Sequence, residues 1–233
     1  MKKYIPNTIT LLNLLFGFTA LLCAFHPMKM FGSTPGYLMC FYCILLAAVA
    51  DFCDGLCARL LHAYSDLGKQ LDSLSDLVSF GVAPAALLFN LFEAGGAPFG
   101  ASFTCALIPL MAALRLARFN IDPEQATTFK GLPVPSCALF CIGLAAMIAY
   151  TPTGINLYAG VGSVVAIALL MVAPVKMYSL KFKSLAPKGN LLRYSLIIVA
   201  IVCISIFGWQ GLYYTIGYYV ISSFIANLFC TDI

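Results

Sequence analysis

Long apolar runs broken by short polar clusters set the layout of this chain. Residues 4–25 and 30–50 carry no Asp, Glu, Lys or Arg, and each is long enough for one membrane-crossing helix of about 20 residues. A third run, 77–92, is extended at its start by Asp72 and Asp76, and a fourth covers 94–114. Residues 131–175 form an uncharged stretch of 45, with Thr151-Pro152-Thr153-Gly154 reading as a turn between two spans. A further 38 uncharged residues, 194–231, break at Gly208-Trp209-Gln210-Gly211. The pattern predicts an all-α, polytopic membrane helix bundle of about eight transmembrane helices. One domain is expected over 1–233, with the core at about 1–185 and a C-terminal helix pair at about 191–230. Ten-residue segments of alternating hydrophobicity, the mark of a membrane barrel, are missing.

Composition agrees. Of 233 residues, 62% are hydrophobic and 9% charged, against about 25% charged in soluble domains, so a water-facing fold is excluded. A net charge of +4 is too small for a nucleic-acid footprint, and no nucleic-acid partner is expected. The basic residues set an orientation. With the N-terminus in the cytoplasm, that face receives Lys2, Lys3, Arg59, Lys69, Arg115, Arg118, Lys130, Lys176, Lys181, Lys183, Lys188 and Arg193, and the opposite face only Lys29. Both termini are therefore expected to be cytoplasmic, and the first segment reads as a retained helix because no A-x-A-like cleavage site follows it. The ten cysteines lie within or at the edge of apolar segments and read as small packing residues.

The chemistry is concentrated in one stretch. Five of the nine acidic residues, Asp51, Asp54, Asp66, Asp72 and Asp76, fall within 26 positions. Asp51 and Asp54 are three apart and share a helix face, which Gly55 and Ala58 continue with almost no side chain. Asp72 and Asp76 are four apart on the next helix, and the short link makes the two helices antiparallel neighbours. Four carboxylates then converge just inside the membrane. Each costs about 2.5–3.5 kcal/mol at a helix centre, and Arg59 and Lys69 are too few to pair them all. Divalent ions resolve both the burial and the mutual repulsion, and hard oxygen ligands suit Mg²⁺ or Mn²⁺. Two such ions clamp the attacking and leaving oxygens of a phosphoryl displacement. Gly55 and Ala58 leave a cleft beside them, and Arg59 offers a fork of donors to a phosphate. The residues alone thus point to a metal-dependent site for a phosphate or diphosphate substrate.

The pattern D-x2-D-G-x2-A-R-x8-G-x3-D-x3-D over residues 51–76 resembles, position for position, the motif of the CDP-alcohol phosphatidyltransferase family. The resemblance implies transfer of a phosphatidyl group from a CDP-linked lipid to an alcohol, with release of CMP. It implies two divalent metal ions, Mg²⁺ or Mn²⁺, held by Asp51, Asp54, Asp72 and Asp76, with Asp76 also the general base. It assigns CDP-lipid contacts to Gly55, Ala58, Arg59, Ser65 and Gly68, and to Pro6, Asn7 and Thr10 before and within the first helix. Three further segments, Asp72 to Pro84, Arg115 to Asn120 and Lys130 to Pro135, resemble the membrane-embedded phosphatidylserine synthase branch. That narrows the expected substrates to CDP-diacylglycerol and L-serine, and implies a homodimer in a prokaryotic inner or plasma membrane with the site on the cytoplasmic side. Serine's carboxylate needs a cation, for which Arg115, Arg118 and Lys130 are the candidates. A sibling enzyme using glycerol 3-phosphate or inositol phosphate would want more cationic groups than these. A divalent-cation transporter would leave Gly55, Ala58 and Arg59 unexplained.

Overall fold

A computed structural model describes residues 4–121, 131–150, 156–178 and 190–229. Its helices are α1 (Tyr4–Ala24), α2 (Gly36–Leu60), α3 (Asp66–Ala94), α4 (Phe99–Ile121), α5 (Val134–Tyr150), α6 (Leu157–Val172), α7 (Leu191–Phe207) and α8 (Gly211–Phe229). The one ribbon among the described residues is a two-stranded hairpin, β1 (Met30–Phe31) and β2 (Thr34–Pro35), turned at Gly32 with a positive φ of 66°. Five apolar helical stretches are long enough to cross a membrane, and α5 and α6 are shorter apolar helices. The protein is an all-α membrane bundle.

Two spans differ from the sequence expectation. The second begins at Gly36, after the hairpin, and runs on to Leu60, so Asp51 and Asp54 lie within α2 and not at its end. The third begins at Asp66, so Asp72 and Asp76 are interior residues of a 29-residue helix. Helices pass through charged positions wherever these face a cavity or the interface, and an uncharged run therefore underestimates them. The last uncharged stretch does fold back at Gly208, where φ is +56°. Tyr218 Oη donates to Ser195 Oγ across the resulting hairpin at 2.9 Å, and the Phe207 and Tyr214 rings pack at 5.1 Å. Lys130, the Thr151–Gly154 turn and the lysines of 181–188 lie outside the described residues.

Burial follows from how each helix is surrounded. α5 is buried on nearly every face and sits at the centre. Gly143 lets the backbone of α8 lie directly against it, since a Cβ there would collide with the backbone of Tyr213. α7, by contrast, buries only Leu196 and presents Ile198, Ile201 and Ile206 outward, as a lipid-facing helix should. α1 carries a buried stripe of Pro6, Thr10, Asn13, Gly17, Ala20 and Ala24, spaced alternately four and three apart, which faces α2 and α3. Gly17 makes the closest approach: a Cβ there would lie 2.8 Å from Ser79 Cα. Ser75 Oγ donates to the Thr10 carbonyl at 3.2 Å and Ser79 Oγ to the Asn13 carbonyl at 3.0 Å, so two hydroxyls pin α3 to α1 along this seam.

Candidate active site

α2 ends and α3 begins around a tight corner. The Ala63 N–H bonds back to the Ala58 carbonyl and the His62 N–H to the Arg59 carbonyl, with His62 in the left-handed region at φ 48°. Ser65 then caps α3, its Oγ accepting from the Gly68 N–H at 3.0 Å. The corner makes α2 and α3 antiparallel neighbours, as the short link predicted. Just past Asp76, α3 widens into a π-helical turn over Leu77–Val82, where the Ala83 N–H reaches back five residues to Val78. Pro84 supplies the cause: it lacks an N–H and its ring crowds the carbonyl four residues earlier.

This arrangement brings three carboxylates together. One oxygen each of Asp51, Asp72 and Asp76 lies within 4.8 Å of the others, a spacing that could hold a metal ion. Among the described residues no Lys or Arg ion pair neutralises them. Three anionic groups this close, two half-buried and one buried, repel unless a cation sits between them. The donor set is all oxygen, which suits a hard divalent ion. Asp54 is placed differently. It is buried on the wall of the neighbouring cavity, with Oδ2 lacking any hydrogen-bond partner.

That cavity has a volume of about 650 Å³ and opens between α1, α2 and the start of α3. Pro6, Asn7, Thr10, Gly55, Ala58, Ser65 and Gly68 all line it, together with Asp54, Asp72 and Lys69. Gly55 leaves real space: a Cβ there would meet nothing within 4 Å. Asp72 belongs both to the cavity wall and to the carboxylate cluster, so a ligand filling the cavity touches the cluster. Arg59 is not brought in. Its side chain is exposed and folds along its own helix, Nε donating to the Gly55 carbonyl at 3.0 Å.

The cationic candidates separate as well. Arg115 is 8% exposed and interacts electrostatically with Asp76 and Tyr219. Arg118 is exposed, its Nη1 3.4 Å from the Val172 carbonyl. Lys69 Nζ donates to the Asn120 carbonyl at 2.9 Å, and Asn120 Nδ2 to Ser73 Oγ at 2.9 Å, tying the end of α4 to the cavity's edge.

One residue of the site escaped the sequence reading. Asn13, fully buried, donates from Nδ2 to Asp76 Oδ1 at 3.2 Å. A signal was present: Asn13 is a polar residue on the same helix face as Pro6 and Thr10, in a run otherwise built for lipid and packing. An amide carries no charge, so acidic-residue density does not find it.

The comparisons with known proteins converge on this region. A sequence profile of the CDP-alcohol phosphatidyltransferase family matches residues 3–175. The chain is 38% identical over 174 residues to a CDP-diacylglycerol–serine O-phosphatidyltransferase of Methanocaldococcus jannaschii, covering 74% of this chain and 72% of the relative. A Bacillus subtilis protein of the same name is 37% identical over 144 residues, 61% of this chain and 76% of its own. A Helicobacter pylori protein of that name is 26% identical over 229 residues, 96% of this chain and 91% of its own.

Proposed function

We propose that this chain, which belongs to the CDP-alcohol phosphatidyltransferase family, transfers the phosphatidyl group of CDP-diacylglycerol to the hydroxyl of L-serine, giving phosphatidylserine and CMP. The observation that carries the proposal is the shared Asp72, which joins a trio of carboxylates to a cavity large enough for a nucleotide diphosphate. The relatives named for the serine reaction support the choice of acceptor.

Asp51, Asp72 and Asp76 would hold a divalent ion, and Asp54, beside them on the cavity wall, would serve a second; Mg²⁺ or Mn²⁺ suits both. Such ions supply charge neutralisation of the diphosphate and of the departing CMP. The chain's own groups do the rest. The cavity seats the CDP moiety against Gly55 and Ala58, with the N-terminus of α3 offering backbone N–H groups toward the phosphates. Asp76 accepts the proton of the serine hydroxyl as its oxygen bonds to the phosphorus bearing diacylglycerol. The bond from that phosphorus to the bridging oxygen breaks, and its electron pair leaves on CMP. Arg115 supplies the buried cation for serine's carboxylate; the exposed Arg118 is an alternative, as is Lys130, which lies outside the described residues. The proposal includes a cytoplasmic-facing site in a prokaryotic inner or plasma membrane, consistent with Arg59, Lys69 and Arg115 sharing one end of the bundle, and a homodimer.

The test is CMP release by detergent-purified protein with CDP-diacylglycerol and Mn²⁺ or Mg²⁺. L-Serine, glycerol 3-phosphate and inositol phosphate are added separately. Release with serine alone is expected. Release with another acceptor overturns the serine assignment but keeps the metal chemistry. No release with any of them, from folded protein, overturns the reaction.

A further inference from the structure

Four buried side-chain atoms among the described residues lack a hydrogen-bond partner: Asn13 Oδ1, Asp54 Oδ2, Ser102 Oγ and Arg115 Nε. Two of them flank Asp76. Asn13 bonds it directly through Nδ2, and Arg115 interacts with it electrostatically from α4. One is an unused acceptor and the other an unused donor. A buried polar group without a partner is costly, and the two around Asp76 are placed where a ligand can complete them.

Neither residue can easily satisfy itself. Asn13 is fully buried, and its helix is held against α3 by the Ser79 hydroxyl on its carbonyl and by the close packing at Gly17. Turning its amide over would set two acceptor oxygens, its own and that of Asp76, against each other. The orientation with Nδ2 on Asp76 is therefore fixed, and Oδ1 is left as an acceptor. Arg115 feels the nearby Tyr219, whose hydroxyl donates to the Tyr178 carbonyl at 3.0 Å, but no hydrogen bond reaches Arg115 Nε.

An α-amino acid carries a matching set of groups: an ammonium that only donates, a carboxylate that only accepts, and, in serine, a hydroxyl between them. We propose that Asn13 and Arg115 form the acceptor cradle, with Asn13 Oδ1 taking the ammonium and Arg115 the carboxylate. Serine's hydroxyl then falls at Asp76. This rests on the serine-transfer reading above and names the residue that reads the amino group. A polyol phosphate offers Asn13 only neutral hydroxyl donors, which bind its oxygen more weakly than a charged ammonium does.

Steady-state CMP release by Asn13→Leu and Arg115→Met tests the cradle, using L-serine, 3-hydroxypropionate (no ammonium) and ethanolamine (no carboxylate) as acceptors. Asn13→Leu is expected to raise the KM for serine about tenfold or more, with the KM for CDP-diacylglycerol within about twofold. It should also collapse the wild-type preference for serine over 3-hydroxypropionate. Arg115→Met should collapse the preference over ethanolamine instead. Thermal stabilisation by CDP-diacylglycerol reports folding, and Asn13→Ser is the milder variant for the same comparison if leucine is not tolerated. A fall in kcat with unchanged serine KM and unchanged acceptor preference overturns the proposal, because Asn13 would then serve only to hold Asp76. Failure of the reaction reading looks different: wild-type protein would not release CMP with serine at all.

Discussion

Gly17 lies one turn beyond Asn13 on α1 and touches no substrate, yet its replacement by alanine should damage catalysis. The added Cβ would stand 2.8 Å from Ser79 Cα and 2.9 Å from Ser79 Cβ, closer still to Oγ. The hydroxyl can rotate away, but only by giving up its bond to the Asn13 carbonyl, at about 0.5–1.5 kcal/mol. The backbone cannot rotate. Moving Ser79 Cα from 2.8 Å to the 3.4 Å of an ordinary contact separates α1 from α3 by about 0.6 Å, an overpacking strain of roughly 1–3 kcal/mol. Alanine's better helix propensity returns at most about 1 kcal/mol.

The displacement is directed at the site, because Asn13 sits on α1 and Asp76 on α3. Misplacement of about 1 Å is enough to cost on the order of 100-fold in rate, so kcat should fall about 10- to 100-fold. The assay is CMP release with L-serine, CDP-diacylglycerol and Mn²⁺, paired with a melting curve in detergent. Gly162→Ala is the control: it also lies within a helix, and its Cβ would meet nothing within 4 Å. Full kcat in a folded Gly17→Ala protein would refute the reasoning, since it would show that the α1–α3 spacing does not set the geometry around Asp76.

Other perturbations separate the parts of the site. Chelation of divalent ions should abolish CMP release and Mn²⁺ should restore it, while Asp72→Asn should cut kcat at least about 100-fold at saturating metal; activity that survives chelation would remove the ion from the mechanism. Gly55→Leu places a side chain into open cavity space and should raise the KM for CDP-diacylglycerol about tenfold or more, with the serine KM little changed; the reverse pattern would put serine in the cavity. Ser65→Ala deletes the cap of α3 at about 1 kcal/mol, and should lower Tm by about 2–4 °C, an effect absent if the hydroxyl acts only on ligand.

Much of the fold was legible because lipid leaves a strong mark on sequence. Charge-free runs located every helix among the described residues, including the pair split at Gly208, since backbone in hydrocarbon must satisfy its own polar groups. Helix ends were less legible for the same reason. Asp51, Arg59, Asp66, Lys69 and Asp72 lie inside α2 and α3, where a criterion based on uncharged residues stops counting. The carboxylate cluster was found by density, and the spacing argument that grouped all four did not show that Asp54 stands apart from the other three. Three residues along a helix turn the side chain by about 60° and advance it about 4.5 Å, which carries Asp54 off the cluster and onto the cavity wall beside Thr10. Arg59 was placed toward a phosphate by proximity in sequence, whereas the guanidinium lies along its own helix on the Gly55 carbonyl.

What sequence cannot show is which of these residues are left without a partner. Asn13, Asp54 and Arg115 all hold a buried polar atom with no partner; Asn13 bonds Asp76, Arg115 feels its charge, and Asp54 lines the cavity. Elsewhere in the bundle most buried hydroxyls are satisfied: Ser75, Ser79, Thr215, Ser222 and Ser223 each find a backbone carbonyl, and Ser102 Oγ is the exception among the described residues. The contrast is physical. Groups that hold the fold together pair with the fold, and on the proposed reading those left unpaired are held rigid for a diphosphate, an ion or an amino acid. Rigidity here comes from α1, whose Gly17 and Thr10 bind it to α3 on either side of Asn13. The helix that looks most like a plain membrane anchor is thus the one that holds Asp76, through Asn13, at the carboxylate cluster.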